Sequence, residues 1–219
     1  MTAFNFELAR YNMIEQQIRP WDVLDQQALD VLASIPREDF VPEGYRNLAF
    51  SDIAIPLGHG EFMLKPAVEG RILQALALHP IDRVLEIGTG SGYLTATLAR
   101  LAASVTSVDI FQEFIEDARH RIKAHGFGNV MLHTGDASRG WGEQRYDAIA
   151  VTGSVATVAE IWRQSLRVGG RLFIVTGQPP VMEALLITRV SEQEWLRKSL
   201  FDTELPPLRN ATPVKTFEF

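Results

Sequence analysis

Val84 to Tyr93, VLEIGTGSGY, constrains the fold more than any other stretch of this chain. Val84, Leu85, Glu86 and Ile87 read as a short buried strand. Gly88-Thr89-Gly90-Ser91-Gly92 follows at once, and a helical pattern then runs over Gly92–Leu101. Closely spaced glycines between a strand and a helix allow positive φ and let a ligand approach the backbone with no Cβ in its way. Such a turn opens a parallel α/β sheet, in which ligands bind at the carboxyl ends of the strands.

The same alternation continues downstream. Strand-like segments fall at Arg83–Ile87, Ser104–Asp109, Val130–Thr134, Ala148–Thr152, Arg171–Thr176, Ala184–Val190 and Trp195–Phe201. Helical segments fall at Gly92–Leu101, Gln112–His125 and Thr157–Leu166. Strands alternating with helices imply βαβ units with right-handed crossovers. The expected fold is therefore α/β: a doubly wound, mostly parallel seven-stranded sheet. Its last two strands are separated only by Ser191-Glu192-Gln193-Glu194, so they should form an antiparallel hairpin at one edge.

Residues 1–80 read differently, as a mainly helical layer. Phe6, Leu8, Ala9, Met13, Ile14 and Ile18 recur at helical spacing until Pro20. Asp25 caps a second helix through Ser34. Ile53–Leu57 is a short extended piece, and Ala67–Leu78 is a helix entered through Pro66. The expected organisation is an N-terminal extension with a ligand-side loop over 1–80 and a binding domain over 81–219, forming one compact unit.

Composition narrows the function. A formal charge of −6 without a basic run argues against a nucleic-acid partner. The absence of cysteine removes disulfides, thiol nucleophiles and zinc–thiolate sites. No apolar run approaches the ~20 residues of a membrane-spanning helix, and the opening residues carry no basic start followed by an apolar stretch. A cytoplasmic protein with no membrane partner is expected. His59, His79, His120, His125 and His133 lack acidic partners at ligand spacing, so no metal site is expected.

A constellation for a nucleoside cofactor does emerge. The glycine spacing is G-x-G-x-G, unlike the G-x-G-x-x-G of dinucleotide enzymes. About twenty residues on, the second strand ends in Asp109, followed by Ile110, placed to accept bonds from ribose hydroxyls. The third strand is followed by Gly135-Asp136-Ala137, where a carboxylate can meet an adenine amino group. Loop, ribose acid and adenine acid on successive strands describe an S-adenosylmethionine pocket, with a nicotinamide or flavin site as the alternative. Gly88, Thr89, Gly90 and Gly92 would hold the methionine portion, and Thr152 with Gly153 the floor. Glu86 would contact the cofactor's ammonium group, orient the loop, or be a buried acid satisfied by backbone amides.

With these residues in view, the chain resembles the protein-L-isoaspartate O-methyltransferase family nearly end to end. The resemblance runs through MIEQQIR (13–19), Pro36-Arg37, FVPE (40–43), LGHG (57–60), RVLEIGTGSGYLTA, YDAIAVTGS (146–154) and RVGGRLFIVTG (167–177). It implies a Rossmann-like class I methyltransferase that moves a methyl group from S-adenosylmethionine to the carboxylate of isoaspartyl residues in damaged proteins, leaving S-adenosylhomocysteine. The candidate substrate loop then holds His59, Glu61, Leu64 and Lys65, with His59 either orienting the loop or making a purely structural hydrogen bond. The family's loop usually reads G-H-G-Q-T-I-S-Q-P, and its threonine and serine are here Phe62 and Leu64. Those departures leave two alternatives open: an altered acceptor, or a non-catalytic cofactor-binding protein. Glu61, if it faces the pocket, would repel an anionic substrate. Near the tail, Glu204-Leu205-Pro206-Pro207-Leu208 aligns with the family's R-F-V-P-L and places an acid where a base stands.

Overall fold

The computed structural model describes residues 4–211, so both ends of the expected two-part division, 1–3 and 212–219, lie outside the described residues. The chain order is α1 (Phe6–Met13), α2 (Gln26–Ser34), β1 (Ile55–Gly58), β2 (Glu61–Met63), α3 (Pro66–Leu76), β3 (Arg83–Ile87), α4 (Tyr93–Leu101) and β4 (Ser104–Asp109). It continues with α5 (Gln112–Ala124), β5 (Val130–Thr134), β6 (Tyr146–Val155), α6 (Glu160–Gln164), β7 (Leu166–Gln178), β8 (Val181–Arg189) and β9 (Trp195–Asp202).

Seven strands form one sheet in the order β5-β4-β3-β6-β7-β8-β9. β5, β4, β3, β6 and β7 are parallel, whereas β8 runs antiparallel to both β7 and β9. The expected edge hairpin is therefore β8–β9, and β7–β8 is a second one. The chain passes outward from β3 through β4 to β5, then returns across the sheet to β6. That reversal opens a crevice at the carboxyl ends of β3 and β6, where doubly wound sheets bind ligands.

The N-terminal layer packs on this sheet rather than beside it. Met13, Ile18, Leu29 and Leu32 share one buried cluster with Leu98, Val105 and Phe173. Local signals set the helix ends: the Asn5 side chain accepts from the Leu8 N–H at 3.0 Å, and that of Asp25 from the Ala28 N–H at 2.8 Å. A third helical end needs a left-handed residue, Ala77 at φ 42°, to leave α3.

Several element bounds differ from the sequence reading, three of them with a structural cause. The first helix loses α geometry at Met13, widens into a π turn over Ile14–Ile18 and tightens into a 3-10 turn over Arg19–Trp21 containing Pro20. α6 is only Glu160–Gln164, because Leu166 already pairs with Tyr146 as the start of β7. The extended piece near Ile53 is one arm of a small hairpin, β1–β2, which periodicity over so few residues does not reveal.

Candidate active site

The glycine loop is shaped as much by its neighbours as by any ligand. Gly88 has φ +97°, and a Cβ there would lie 2.0 Å from the Thr152 Oγ1. Thr152, within β6 just past its pairing with β3, donates to the Ile87 and Gly88 carbonyls, each at 3.0 Å, which ties β3 to β6 under the loop. Gly90, at φ +50°, faces the cleft and gives its N–H to Asp109 Oδ2 at 2.9 Å. Gly92 stands apart from these. It caps α4 in a left-handed conformation and packs on Ala118 of α5, 2.9 Å from where its Cβ would sit, so it is a helix-packing glycine outside the cleft wall.

Glu86 also lies outside the wall. It is fully buried beneath the loop, and its Oε2 accepts from the Thr95 and Ser107 hydroxyls, each at 2.5 Å. Ser107 in turn bonds the Thr89 hydroxyl at 2.6 Å. The sequence reading that turned Glu86 toward the cofactor's ammonium group is corrected: two side-chain hydroxyls hold its Oε2 and link it to the loop, while Oε1 is buried without a hydrogen-bond partner. Burial pushes its carboxyl up to about 8, with the Ser107 and Thr95 hydroxyl bonds acting the other way.

The two acids expected to read a nucleoside do face the cleft. Asp109 accepts from the Gly90 N–H and, at 3.0 Å, from the Phe111 N–H. Burial raises its pKa, opposed by those backbone bonds. An ionised carboxylate has about four acceptor positions, so capacity for ribose hydroxyls remains. Asp136 accepts from the Ser138 N–H and from the Asn210 side chain, both at 2.9 Å. Burial works to raise its pKa, but these bonds outweigh it and hold the group below the usual carboxylate range. Ile110, Ala137, Thr152 and Gly153 complete this half of a cleft of about 460 Å³, within the range of sites for drug-sized ligands.

The other half belongs to the β1–β2 hairpin. Gly58 pairs with Glu61, so His59-Gly60 forms a two-residue turn with φ +54° and +79°, the primed pattern that tight hairpins favour. The His59 ring turns away from the cleft. It stacks on Phe111 at 4.2 Å and meets the Phe114 ring edge-on at 5.5 Å, which fixes the hairpin to the start of α5. Leu64 is half-buried against the core. Its carbonyl accepts from Arg37 at 2.6 Å, and the buried Arg37 guanidinium also pairs with Glu69 and donates to the Ala49 carbonyl at 2.8 Å. Glu61, Phe62, Leu64 and Lys65 therefore line the same cleft as Gly88, Gly90, Asp109 and Asp136.

The sequence reading missed one residue of consequence, Arg209. After β9 the chain turns back along β6: the Ser154 N–H donates to the Pro206 carbonyl and the Leu208 N–H to the Ser154 carbonyl, each at 2.8 Å. Gly153 makes this close approach possible, since a Cβ there would be 3.1 Å from the Leu208 backbone. Arg209 then reaches across to the hairpin, donating to Glu61 Oε1 and to the His59 carbonyl, each at 2.7 Å. Glu61 is thus neutralised by an arginine 148 positions away, and the repulsion expected from it is corrected. The only local hint was a basic residue just past two prolines.

The sequence profile described as protein-L-isoaspartate(D-aspartate) O-methyltransferase (PCMT) matches residues 9–208. Protein-L-isoaspartate O-methyltransferase 1 of Rhodopseudomonas palustris (strain HaA2) is 36% identical over 208 residues, covering 94% of this chain and 85% of that protein. Protein-L-isoaspartate O-methyltransferase 2 of Marinobacter nauticus is 37% identical over 201 residues, covering 91% and 92%. A Plasmodium falciparum protein ascribed the same activity, and crystallised with S-adenosyl-L-homocysteine, superposes with a TM-score of 0.80. That pair covers 94% and 99% of the two chains at 19% identity, a likeness of fold. The profile match spans the glycine loop, both cleft acids, the hairpin and the returning segment up to Leu208, and it agrees with the relatives, so this chain belongs to the protein-L-isoaspartate (D-aspartate) O-methyltransferase family.

Proposed function

We propose that this protein is an S-adenosylmethionine-dependent methyltransferase that esterifies the α-carboxylate of isoaspartyl residues in damaged proteins or peptides. The observation that carries the reading is the single cleft shared by Gly88, Gly90, Asp109 and Asp136 on one side and by the β1–β2 hairpin on the other. The residues suit the cofactor. Gly90 leaves the loop open to the cleft, Asp109 keeps free acceptor positions for a ribose, and Asp136 remains ionised for an amino group. When bound, S-adenosylmethionine supplies a methyl group on a sulfonium, an excellent leaving group.

The protein's part is then mainly to position. A carboxylate is already ionised at neutral pH and requires no general base, so rate comes from holding two reactants close and aligned. The Arg37 anchor on the Leu64 carbonyl, the His59 stack on Phe111 and the Arg209 bridge fix the hairpin on three sides. Residues 1–80 and 81–219 act in this reading as one unit, because the hairpin belongs to the first and the glycine loop to the second. The proposal places the activity in the cytoplasm, in keeping with a cysteine-free chain. No described helix is long and apolar enough to cross a membrane.

Release of S-adenosylhomocysteine, measured with an isoaspartyl peptide and its normal aspartyl twin, tests the reading. Turnover confined to the isoaspartyl peptide is expected. A second reading, transfer to a less polar acceptor, draws on Phe62, which lines the cleft while 46% exposed. Tight cofactor binding without turnover of either peptide would overturn the isoaspartyl reading and leave this alternative or a non-catalytic cofactor-binding protein.

A further inference from the structure

Leu64 stands where this family's loop usually carries a serine, yet in the isoaspartyl reading the cleft still has to hold an anion. Its charged groups show where. Among the described residues the cleft wall contains two cations, Lys65 and Arg209. Arg209 is committed to Glu61 and to the His59 carbonyl. The nearby Arg37 is buried and committed to Glu69, Ala49 and Leu64. Lys65 is exposed at the start of α3 and makes no ion pair among the described residues.

The wall's acids make this cation more telling. Asp109, Asp136, Asp202 and Glu204 all face the cleft, so an anionic acceptor approaches a negative surface relieved at one point. Lys65 immediately follows Leu64, the position of the lost hydroxyl. A lysine ammonium offers three donors on a flexible stem and suits a carboxylate without demanding bidentate geometry.

We propose that Lys65 is the acceptor-binding residue of this enzyme, holding one oxygen of the isoaspartyl carboxylate by a charge-assisted hydrogen bond and leaving the other free to react. This inference rests on the isoaspartyl reading above. It makes acceptor recognition in this chain electrostatic. Affinity for the acceptor is therefore sensitive to ionic strength, since the ammonium is solvent-accessible.

The test is calorimetric binding of an isoaspartyl peptide to the protein saturated with S-adenosylhomocysteine, a complex in which no reaction occurs. Lys65→Gln should weaken peptide binding about tenfold, the lower end for losing a hydrogen bond to a charged group, while leaving S-adenosylhomocysteine affinity unchanged. Lys65→Arg should stay within about threefold of wild type. Raising salt should weaken the wild-type complex and leave the Lys65→Gln complex nearly flat. Adding Leu64→Ser to Lys65→Gln should recover much of the loss by restoring a hydroxyl. Selective wild-type binding that Lys65→Gln leaves unaltered, or a Lys65→Arg variant as weak as Lys65→Gln, overturns the assignment alone. Wild-type binding that does not distinguish the isoaspartyl peptide from its aspartyl twin overturns the isoaspartyl reading, and the assignment with it.

Discussion

Gly88→Ala tests how the cofactor loop is built. The new Cβ would sit 2.0 Å from the Thr152 Oγ1, far inside the roughly 3.5 Å at which heavy atoms attract. Something must move, and the hydroxyl is the nearest obstacle. Displacing it breaks the bifurcated bond to the Ile87 and Gly88 carbonyls, worth about 1 kcal/mol. Alanine held at φ +97° adds about 1–3 kcal/mol of backbone strain. The single variant should thus lose about 2–4 kcal/mol of stability by urea unfolding, and S-adenosylhomocysteine affinity should fall at least about tenfold by calorimetry. Thr152→Ala alone should cost about 1 kcal/mol. The Cβ at position 152 lies 3.4 Å from where the new methyl would sit, an ordinary contact, so the double variant escapes the clash and keeps only the strain and the lost bond. A coupling of about 1 kcal/mol in the double-mutant cycle follows, because the bond is lost once rather than twice. Strictly additive costs would refute the steric argument, and a double variant as stable as Thr152→Ala would refute the strain.

Other perturbations address the acids and the hairpin. Asp109→Ala should weaken S-adenosylhomocysteine binding about tenfold to a hundredfold, and unaltered affinity would remove Asp109 from the ribose site. Glu86, raised to about 8 by burial, carries a proton in the native state that the unfolded chain releases near 4.5. Its contribution to stability is therefore complete below the unfolded value and is lost as pH rises through about 8, with a slope of up to about 1.4 kcal/mol per pH unit. Glu86→Gln should show a flatter decline in urea-derived stability from about pH 5 to 8; parallel curves for the two proteins would contradict the assignment. Leu64→Ser removes a half-buried side chain, so it should lower stability by about 1–2 kcal/mol while lowering KM for an isoaspartyl peptide. An unchanged or higher KM would mean that the absent hydroxyl does not limit acceptor binding.

The sequence alone determined the sheet's architecture and the cleft edge that carries Asp109 and Asp136. β3 and β4 are short, mostly buried runs, Asp109 ends β4 and Asp136 follows β5 closely, so local pattern and position coincide there. β3, β4 and β5 have the bounds read from the residues alone. Glu86 and Gly92 were legible as important but not as to why: a carboxyl that turns to Thr95 and Ser107, and a glycine that admits Ala118, depend on which helix packs against which strand.

Only the tertiary structure decided the acceptor half. Glu61 reads as a repulsive acid until the returning chain delivers Arg209 to it, and only folding buries Arg37 against Glu69 and the Leu64 carbonyl. The physical reason is that charge in a cleft is set by pairing across long stretches of sequence. No window of neighbouring residues contains both partners, so which cation remains for the substrate is settled only when the chain has closed on itself.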